Sequence, residues 1–389
     1  MSFAVDWSEL PPELLQTVAT NFLTTADYIR FRAVCSSWFI AAPINPRHLP
    51  REFPWLMLPL TSSIRRCFFN PLTKNLYHLS LPESSHSRRP AGCSHGWLVL
   101  IDESPSIFLV NPLTRAKVTL PPLSSFPNVL KFDFYSIGKE YTLRAPENDF
   151  LYYYSLKEMR DSFVKKVILS HNPFNEPNFV AFTIIDKFGD LAYCKKGDDS
   201  WTIIHEARSY CEDVIYYKNS FYAVDKHGSI AICDVNDHNS PTRVRFLNMP
   251  QNIGGDMQYL VDAMGELFLV TRYLDFEIDI EHYHEVSKTI KFSVFRLDFH
   301  GPNWEIVKSL DDKMLFLGQN SSFSLLASDY RECKGDMIYF TDDYSGANYE
   351  GVAGYHDVGV YNLKDGSIEV LPCYPPNSHW PIWITPTLC

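Results

Sequence analysis

The tetrapeptide Asn-Pro-Leu-Thr occurs twice in this chain, beginning at Asn70 and again at Asn111. Two copies 41 positions apart indicate a structural unit that repeats at about that interval. Each copy follows one short apolar run and precedes another, as in FLVNPLTRAKVTLPPL, so each is predicted to be a turn between two strands. Looser versions of the same pattern begin near Lys196, Leu297 and Asn362.

Short apolar runs separated by Gly, Asn, Asp or Pro continue from Trp55 to the end of the chain, for example GWLVLID, SFYAVD and ELFLVTR. Their lengths and turn spacing are typical of an all-β fold. The 27 Phe, 22 Tyr and 8 Trp agree with this prediction, since aromatic side chains pack well on pleated surfaces.

Four short strands that recur every ~40–50 residues are typical of the blades of a β-propeller. Residues 55–389 are expected to hold about seven blades, and six larger blades remain an alternative because the spacing is irregular around 125–175 and 271–290. A pair of β-sandwiches with coincidental Asn-Pro-Leu-Thr copies is the competing interpretation.

The first 45 residues have a different pattern, with apolar side chains at helical spacing. Pro12 suits a first helical turn, and Thr24 followed by Asp27 resembles the N-cap of a second helix. Trp38 continues the apolar surface into a third segment. The sequence predicts a three-helix unit over residues 1–45, followed by a proline-rich linker over residues 46–54.

So small a helical unit cannot bury its apolar surface by itself. One interpretation is a cap that packs on the larger domain. The other is a docking module whose exposed apolar surface is covered by a second protein. The helical pattern alone favours neither.

The N-terminal stretch resembles an F-box, the module that attaches substrate receptors to the Skp adaptor of cullin–RING ubiquitin ligases. The resemblance covers residues 6–42 and lies in the order and spacing of several apolar positions together. It implies an adaptor-facing surface formed or supported by Leu10, Pro11, Leu14, Leu15, Val18, Leu23, Ile29, Val34, Cys35 and Trp38. It also implies a plant ASK-type Skp adaptor as the partner and, through it, cullin and RING subunits.

The remainder resembles the KIB-type, kelch-like β-propeller that commonly follows a plant F-box. The matching stretches include FPWLMLP, CSHGWLVL, FLVNPLTRAKVTLPPL and the terminal WPIWITPTL. Kelch repeats carry a Gly-Gly pair in each blade, whereas this chain has only Gly254-Gly255, so the likeness is to a kelch-like domain. The expected fold class is therefore α+β multidomain, with a three-helix F-box before an all-β propeller.

Composition excludes several other classes. A net charge of −11 argues against nucleic acid as a partner, and no apolar run approaches the ~20 residues needed to span a membrane. The nine cysteines form no CxxC pair, which argues against a zinc site or a disulfide framework. We expect a soluble intracellular protein, in the nucleus and/or the cytoplasm.

Two segments have residue types that could carry chemistry. FEIDIEHYHEVSK, from Phe276 to Lys288, is rich in acidic and His residues but lacks a zinc-ligand spacing, and is predicted to be a solvated acidic loop. Cys93-Ser94-His95-Gly96 places a thiol near an imidazole and is predicted to be a turn plus core. No catalytic residue, metal ligand or cofactor site is predicted.

The predicted function is substrate recognition in an SCF-type ubiquitin ligase, with a non-catalytic chain that binds an unknown substrate protein on the propeller. Tyr344, Tyr349 and Tyr355, in a Gly-rich loop, are the predicted substrate-binding residues, because aromatic side chains in propeller loops often anchor partners. Two alternatives remain: a propeller enzyme or ligand sensor with a helical cap, and an F-box scaffold that does not lead to degradation.

Overall fold

A computed structural model of the chain describes residues 6–22, 25–43, 46, 48–49, 51–58, 65–85, 87–145, 150–235, 242–251, 253–279, 284–301, 303–343, 357–371 and 381–387. Its first part is a helical unit of three helices, α1 (Pro12–Ala19), α2 (Thr25–Arg32) and α3 (Ser36–Ala41). Pro12 is the first residue of α1, where its missing N–H costs nothing. No helix in these described ranges is long and apolar enough to cross a membrane.

Strands are the main regular structure after Phe53. Blade 1 consists of β28 (Ile382–Ile384), β1 (Trp55–Met57), β2 (Arg65–Phe69) and β3 (Leu76–Ser80). Blade 2 consists of β4 (Arg88–Ser94), β5 (Trp97–Asp102), β6 (Ile107–Val110) and β7 (Lys117–Leu120). Blade 3 consists of β11 (Val164–Leu169), β12 (Val180–Ile185), β13 (Asp190–Lys195) and β14 (Thr202–Ile204).

The later blades follow the same order. Blade 4 consists of β15 (Asp213–Tyr217), β16 (Ser220–Val224), β17 (Ile230–Asp234) and β18 (Arg243–Leu247). Blade 5 consists of β19 (Met257–Ala263), β20 (Glu266–Asp279), β21 (His284–Asp298) and β22 (Asn303–Val307). Blade 6 consists of β23 (Lys313–Leu317), β24 (Phe323–Leu326), β25 (Met337–Phe340), β26 (Gly359–Asn362) and β27 (Ile368–Val370). Blades 5 and 6 form one continuous sheet, joined where Asp262 on β19 pairs with Phe323 on β24.

A further sheet of three strands lies between blades 2 and 3 in the sequence. This inserted sheet consists of β8 (Val129–Phe132), β9 (Tyr141–Arg144) and β10 (Leu151–Tyr154). A short helix, α4 (Leu156–Glu158), and a single π-helical turn (Met159–Phe163) connect it to blade 3. The remaining helical turns are of the 3₁₀ type, at Trp7–Glu9, Pro82–Ser84, Leu123–Ser125 and Ala327–Asp329.

The apolar core divides into clusters that lie between successive blades. One cluster joins blades 1 and 2, and others join blades 3 and 4, 4 and 5, and 5 and 6. Blades 2 and 3 meet in a cluster that also includes Tyr141 and Leu143 of the inserted sheet. The last cluster packs Phe316 of blade 6 against Leu56 and Trp383 of blade 1, so the blades close into a ring.

The described strands therefore form a propeller of six blades rather than about seven. The inserted sheet accounts for the difference, because its strands occupy the length of chain that a seventh blade would need. Edge strand β11 of blade 3 contacts edge strand β4 of blade 2, which leaves no place for a blade between them. The β20–β21 hairpin is also longer than the other hairpins, and it takes up further residues.

The repeated Asn-Pro-Leu-Thr marks equivalent turns, as the sequence predicts. It connects β2 to the outermost strand β3 in blade 1, and β6 to the outermost strand β7 in blade 2. The Asn70 side-chain oxygen accepts from the backbone N–H groups of Leu72 and Thr73, at 2.9 and 3.1 Å. Asn111 accepts in the same way at 3.0 Å from both equivalent N–H groups. This side chain replaces backbone hydrogen bonds that the turn lacks.

A buried ion pair ties blades 3 to 6 together where their inner strands meet. Lys166 on β11 donates to Asp213 on β15, and the Lys166 ammonium also donates to the carbonyl oxygen of Gly318 at 3.1 Å. The second Asp213 oxygen accepts from Leu260 N at 3.0 Å and from Ser322 Oγ at 3.1 Å. Each charged atom of the pair therefore has a hydrogen-bonding partner, as a buried charge requires.

We expect Lys166→Ala to destabilise the propeller by about 3–5 kcal/mol, since the substitution leaves the Asp213 carboxylate buried without its cation. Equilibrium urea unfolding monitored by tryptophan fluorescence would measure the loss. The neighbouring Lys165 is a matched control: its half-buried side chain donates to the carbonyl oxygen of Cys211. Lys165→Ala should cost about 1 kcal/mol. Equal losses for the two variants would contradict this account of the pair.

Candidate functional site

The helical unit has an apolar core of its own. Leu15 and Ala19 of α1 pack against Tyr28 and Phe31 of α2 and against Ala41 of α3. Among the described residues, no strand residue belongs to this cluster. The helical unit therefore buries part of its apolar surface within itself.

Two polar contacts hold the ends of the helical unit together. The Tyr28 hydroxyl donates to the carbonyl oxygen of Pro43 at 2.5 Å. The Trp38 indole N–H donates to the carbonyl oxygen of Trp7 at 2.9 Å, and the Trp38 ring lies 4.6 Å from that of Phe31. Trp38 therefore fastens the segment before α1 onto α3, and it contributes its ring to the core.

The outer surface of the helical unit carries a set of exposed apolar side chains. Leu14 and Val18 lie one turn apart on α1 and are 53% and 45% exposed. Val34, between α2 and α3, is 58% exposed, and Pro11 is exposed as well. Monomeric proteins rarely leave contiguous apolar surface in water without a partner for it.

The residues that the sequence predicts for the adaptor surface thus fall into two groups. Pro11, Leu14, Val18 and Val34 are exposed and can contact a partner directly. Leu10, Ile29, Cys35 and Trp38 are half-buried, and Leu23 lies outside the described residues.

Leu15 can take only the supporting one of the two roles that the sequence predicts for these residues. It is 1% exposed in the core of the helical unit, so it can support the surface but cannot form it. The physical reason is that successive residues on a helix differ by about 100° in direction, so Leu14 and Leu15 cannot face the same way.

Three exposed apolar residues of the helical unit are absent from the adaptor surface that the sequence predicts. Trp7, Phe39 and Ile40 are 63%, 52% and 81% exposed, and the Arg32 guanidinium lies 4.3 Å from the centre of the Phe39 ring. Phe39 and Ile40 directly follow Trp38 in the apolar run WFIAA, and a run of this kind gives no periodicity from which to separate core from surface.

The segments of the propeller that the sequence singles out are structural where they are described. His95 and Gly96 have φ values of 52° and 80° and form the two-residue turn between β4 and β5. Gly96 is required there, because a Cβ at this position would lie 2.2 Å from Thr387 Oγ1. Burial raises the pKa of Cys93 to about 12, which keeps its sulfur as a thiol. The prediction of a turn plus core is confirmed.

The acidic segment lies on the long hairpin of blade 5, so its described residues are in strands rather than in the loop that the sequence predicts. Glu277 on β20 is exposed and forms a 3.0 Å ion pair with Lys288 on β21. The side chains of residues 278–286 are outside the described part of the chain. Within the described residues, no group of three or more His, Cys, Asp and Glu side chains could hold a metal ion.

Tyr344, Tyr349 and Tyr355 lie outside the described residues, but the chain on both sides of residues 344–356 is described. Asp343, before it, and Asp357, after it, both accept from the Arg272 guanidinium, at 2.9 and 2.8 Å. Burial raises the pKa of Asp343 to about 6, although the nearby Arg272 charge lowers it. The buried Arg272 side chain therefore binds the chain on both sides of residues 344–356.

Comparison with known proteins is consistent with this architecture. A family model described as the KIB1-4 beta-propeller matches residues 68–362. The F-box protein SKIP23 of Arabidopsis thaliana is 30% identical to the chain, with 98% of this chain and 96% of that protein covered. A putative F-box/kelch-repeat protein of the same plant is 27% identical, with 97% and 99% covered.

Among solved structures, a fungal alcohol oxidase in complex with copper covers 86% of this chain and 61% of its own length. It is 9% identical with a TM-score of 0.34, which is too low to support an argument about fold or activity.

The match to the family model begins in β2 of blade 1 and ends with β26 of blade 6, so it covers most of the ring. The alignment with SKIP23 also includes the helical unit, because it covers 98% of the chain. The chain belongs to the family of plant F-box proteins that carry a KIB1-4 β-propeller.

Proposed function

We propose that this chain is the substrate-recognition subunit of an SCF-type cullin–RING ubiquitin ligase. The helical unit binds a Skp adaptor of the plant ASK type, and the propeller holds the substrate protein. The observation that carries the proposal is the exposed apolar set Pro11, Leu14, Val18 and Val34 on a helical unit that already has its own core.

The adaptor contact is expected to depend on apolar burial. Covering an exposed leucine or valine side chain stabilises a complex by about 1.5–3 kcal/mol. Charge attraction contributes little, because the chain carries a net charge of −11 and gains nothing from an acidic partner. Trp7, Phe39 and Ile40 extend the same apolar character and add to the area available for the contact.

The chain itself performs no chemical step in this proposal. It raises the effective concentration of a substrate lysine near the ubiquitin-charged enzyme of the complex, which is a positioning effect. Tyr344, Tyr349 and Tyr355 remain predicted substrate contacts. The nucleus and/or the cytoplasm is the expected place of action.

The two alternatives make different demands on the helical unit. A propeller enzyme or ligand sensor would use this unit as a cap, whereas the unit buries its apolar core internally. A scaffold that does not lead to degradation would make the same adaptor contact, so the fate of the bound protein separates it from the proposal.

We expect the fragment 49–389 to fold and to melt at the temperature of the propeller in the full chain, because the helical core includes no described strand residue. Differential scanning calorimetry of both proteins would test this. A propeller transition that falls by about 5 °C or more in the fragment would indicate a cap.

We expect the double variant Leu14→Asp/Val18→Asp to bind a plant Skp adaptor at least about 100-fold more weakly than the unaltered chain, since two apolar contacts are replaced by desolvated charges. Co-expression followed by size-exclusion chromatography with light scattering shows whether a one-to-one complex forms. Isothermal titration calorimetry gives the affinity.

Two control variants make this result interpretable. Ile306→Asp alters a side chain on β22 that is 68% exposed and should leave adaptor binding unchanged. Leu15→Ala removes a core side chain and should lower stability by about 2–5 kcal/mol, which reveals how unfolding of the helical unit affects binding. A Leu14/Val18 variant that binds normally while folded would refute the proposed surface.

A further inference from the structure

The inserted sheet concentrates exposed apolar side chains. In the described chain after Phe53, seven of the large apolar residues that are exposed lie within its 25 or so residues: Leu130, Phe134, Tyr135, Ile137, Phe150, Leu151 and Tyr153. Tyr135 and Ile137 are 90% and 92% exposed. Blade 5 carries five such residues and each of the other blades carries two or fewer, and an apolar patch of this kind marks a binding surface.

The two faces of the inserted sheet have different environments. Tyr141 and Leu143 of β9 point into the cluster between blades 2 and 3, and Tyr152 of β10 donates its hydroxyl to Asp186 of blade 3. Leu151 and Tyr153 alternate with Tyr152 along β10 and are each 50% exposed, so they lie on the outward face. One face is fixed to the ring, and in the part of the chain that the structure describes the other face packs against no blade.

The inserted sheet also has an open edge. Every blade has four or more strands, whereas this sheet has three, with β10 at one side. Ala145 N donates to Phe150 O at 2.9 Å, so these two residues form a hydrogen-bonded pair. Hydrogen-bonded and non-hydrogen-bonded pairs alternate along antiparallel strands. The backbone N–H and C=O groups of Tyr152 therefore face β9, and those of Leu151 and Tyr153 face away from it. In the described residues, β10 pairs with β9 alone. An open edge of this kind can accept another extended chain.

An open groove of about 450 Å³ lies on the outward face beside Tyr153. Lys131 and Lys139 line it, together with Asp133 and Glu140. The Lys139 ammonium lies 5.4 Å from the centre of the Tyr153 ring.

The two carboxylates of the groove are already used within the protein. Asp133 accepts from Lys131 Nζ at 3.1 Å and from two groups of its own turn, and the bond from Lys131 lowers its pKa. Glu140 accepts from Gly138 N at 3.0 Å and from Leu156 N at 3.2 Å. The two lysines and two carboxylates of the groove balance in charge, and the Lys139 ammonium has N–H donors that can bind a carboxylate from a partner.

We propose that an extended segment of the substrate protein docks on the inserted sheet as a fourth strand beside β10. The segment carries alternating apolar residues, which cover Leu151 and Tyr153, and an Asp or Glu whose carboxylate enters the groove beside Lys139. This inference rests on the proposed substrate-recognition function and names the surface and the chemistry of the substrate segment.

The first step of the test is site-directed photo-cross-linking with the full chain bound to its adaptor. A photoreactive benzoylphenylalanine replaces Tyr153 in one sample and Ile306, on the exposed edge strand β22, in the other. Both are irradiated in plant extract with a proteasome inhibitor, and mass spectrometry identifies the cross-linked peptides. We expect one segment to be captured from position 153 and not from position 306, with alternating apolar residues and at least one acidic residue.

The second step uses the captured segment as a synthetic peptide in fluorescence anisotropy. Lys139→Glu should weaken its binding at least about tenfold, and Leu151→Ser/Tyr153→Ser should abolish it, whereas Ile306→Ser should have no effect. N-methylation of alternate backbone amides should abolish binding in the register that pairs with β10 and leave it intact in the other. Thermal melting confirms that each variant is folded.

Several results would overturn the inference. They are capture of the same proteins at both positions, capture of a segment of this chain, failure to capture any segment while the adaptor is bound, and indifference to both N-methylation patterns. Failure of the proposed function would appear differently, as absence of the adaptor complex in the light-scattering measurement.

Discussion

The fold depends on closure of the ring between its first and last blades. Strand β28, from the end of the chain, pairs with β1 and forms the inner edge of blade 1. Trp383 on β28 is fully buried against Phe316 of blade 6, with ring centres 5.4 Å apart. Because every blade buries both faces against its neighbours, an open ring would leave two apolar faces in water. The short strand β28 therefore helps to keep the whole ring of blades closed.

Burial of both faces explains why the propeller could be predicted from the sequence and why the blade number could not. In β12, Val180 and Phe182 pack toward blade 4 while Ala181 packs toward blade 2, so the strand is buried at every position. Such runs, with Asn70 and Asn111 at equivalent turns, reveal strands and their period. They do not reveal which sheet joins the ring, because the strands of the inserted sheet have similar lengths and turn chemistry.

For the helical unit too, the sequence predicts the kind of structure but not which single residues are exposed. The N-terminal segment has three helices, but Leu14 and Leu15 are chemically identical neighbours and only the fold separates the exposed one from the buried one. Trp38 has a mixed role that spacing cannot predict, since its ring joins the core while its N–H holds the carbonyl oxygen of Trp7. Exposure depends on tertiary packing, and no pattern within one helix contains that information.

The outward face of the inserted sheet can accept substitutions that a blade strand cannot. A substitution on a blade strand changes contacts with a neighbouring blade, because both faces are buried, whereas the outward face of the inserted sheet has no such neighbour. Residues such as Tyr135, Ile137 and Tyr153 can therefore vary without altering the ring. The exposed apolar residues on this face bury less surface than those of the blades, and their exposure costs solubility. In the docking mode proposed above, a segment of the substrate protein covers them.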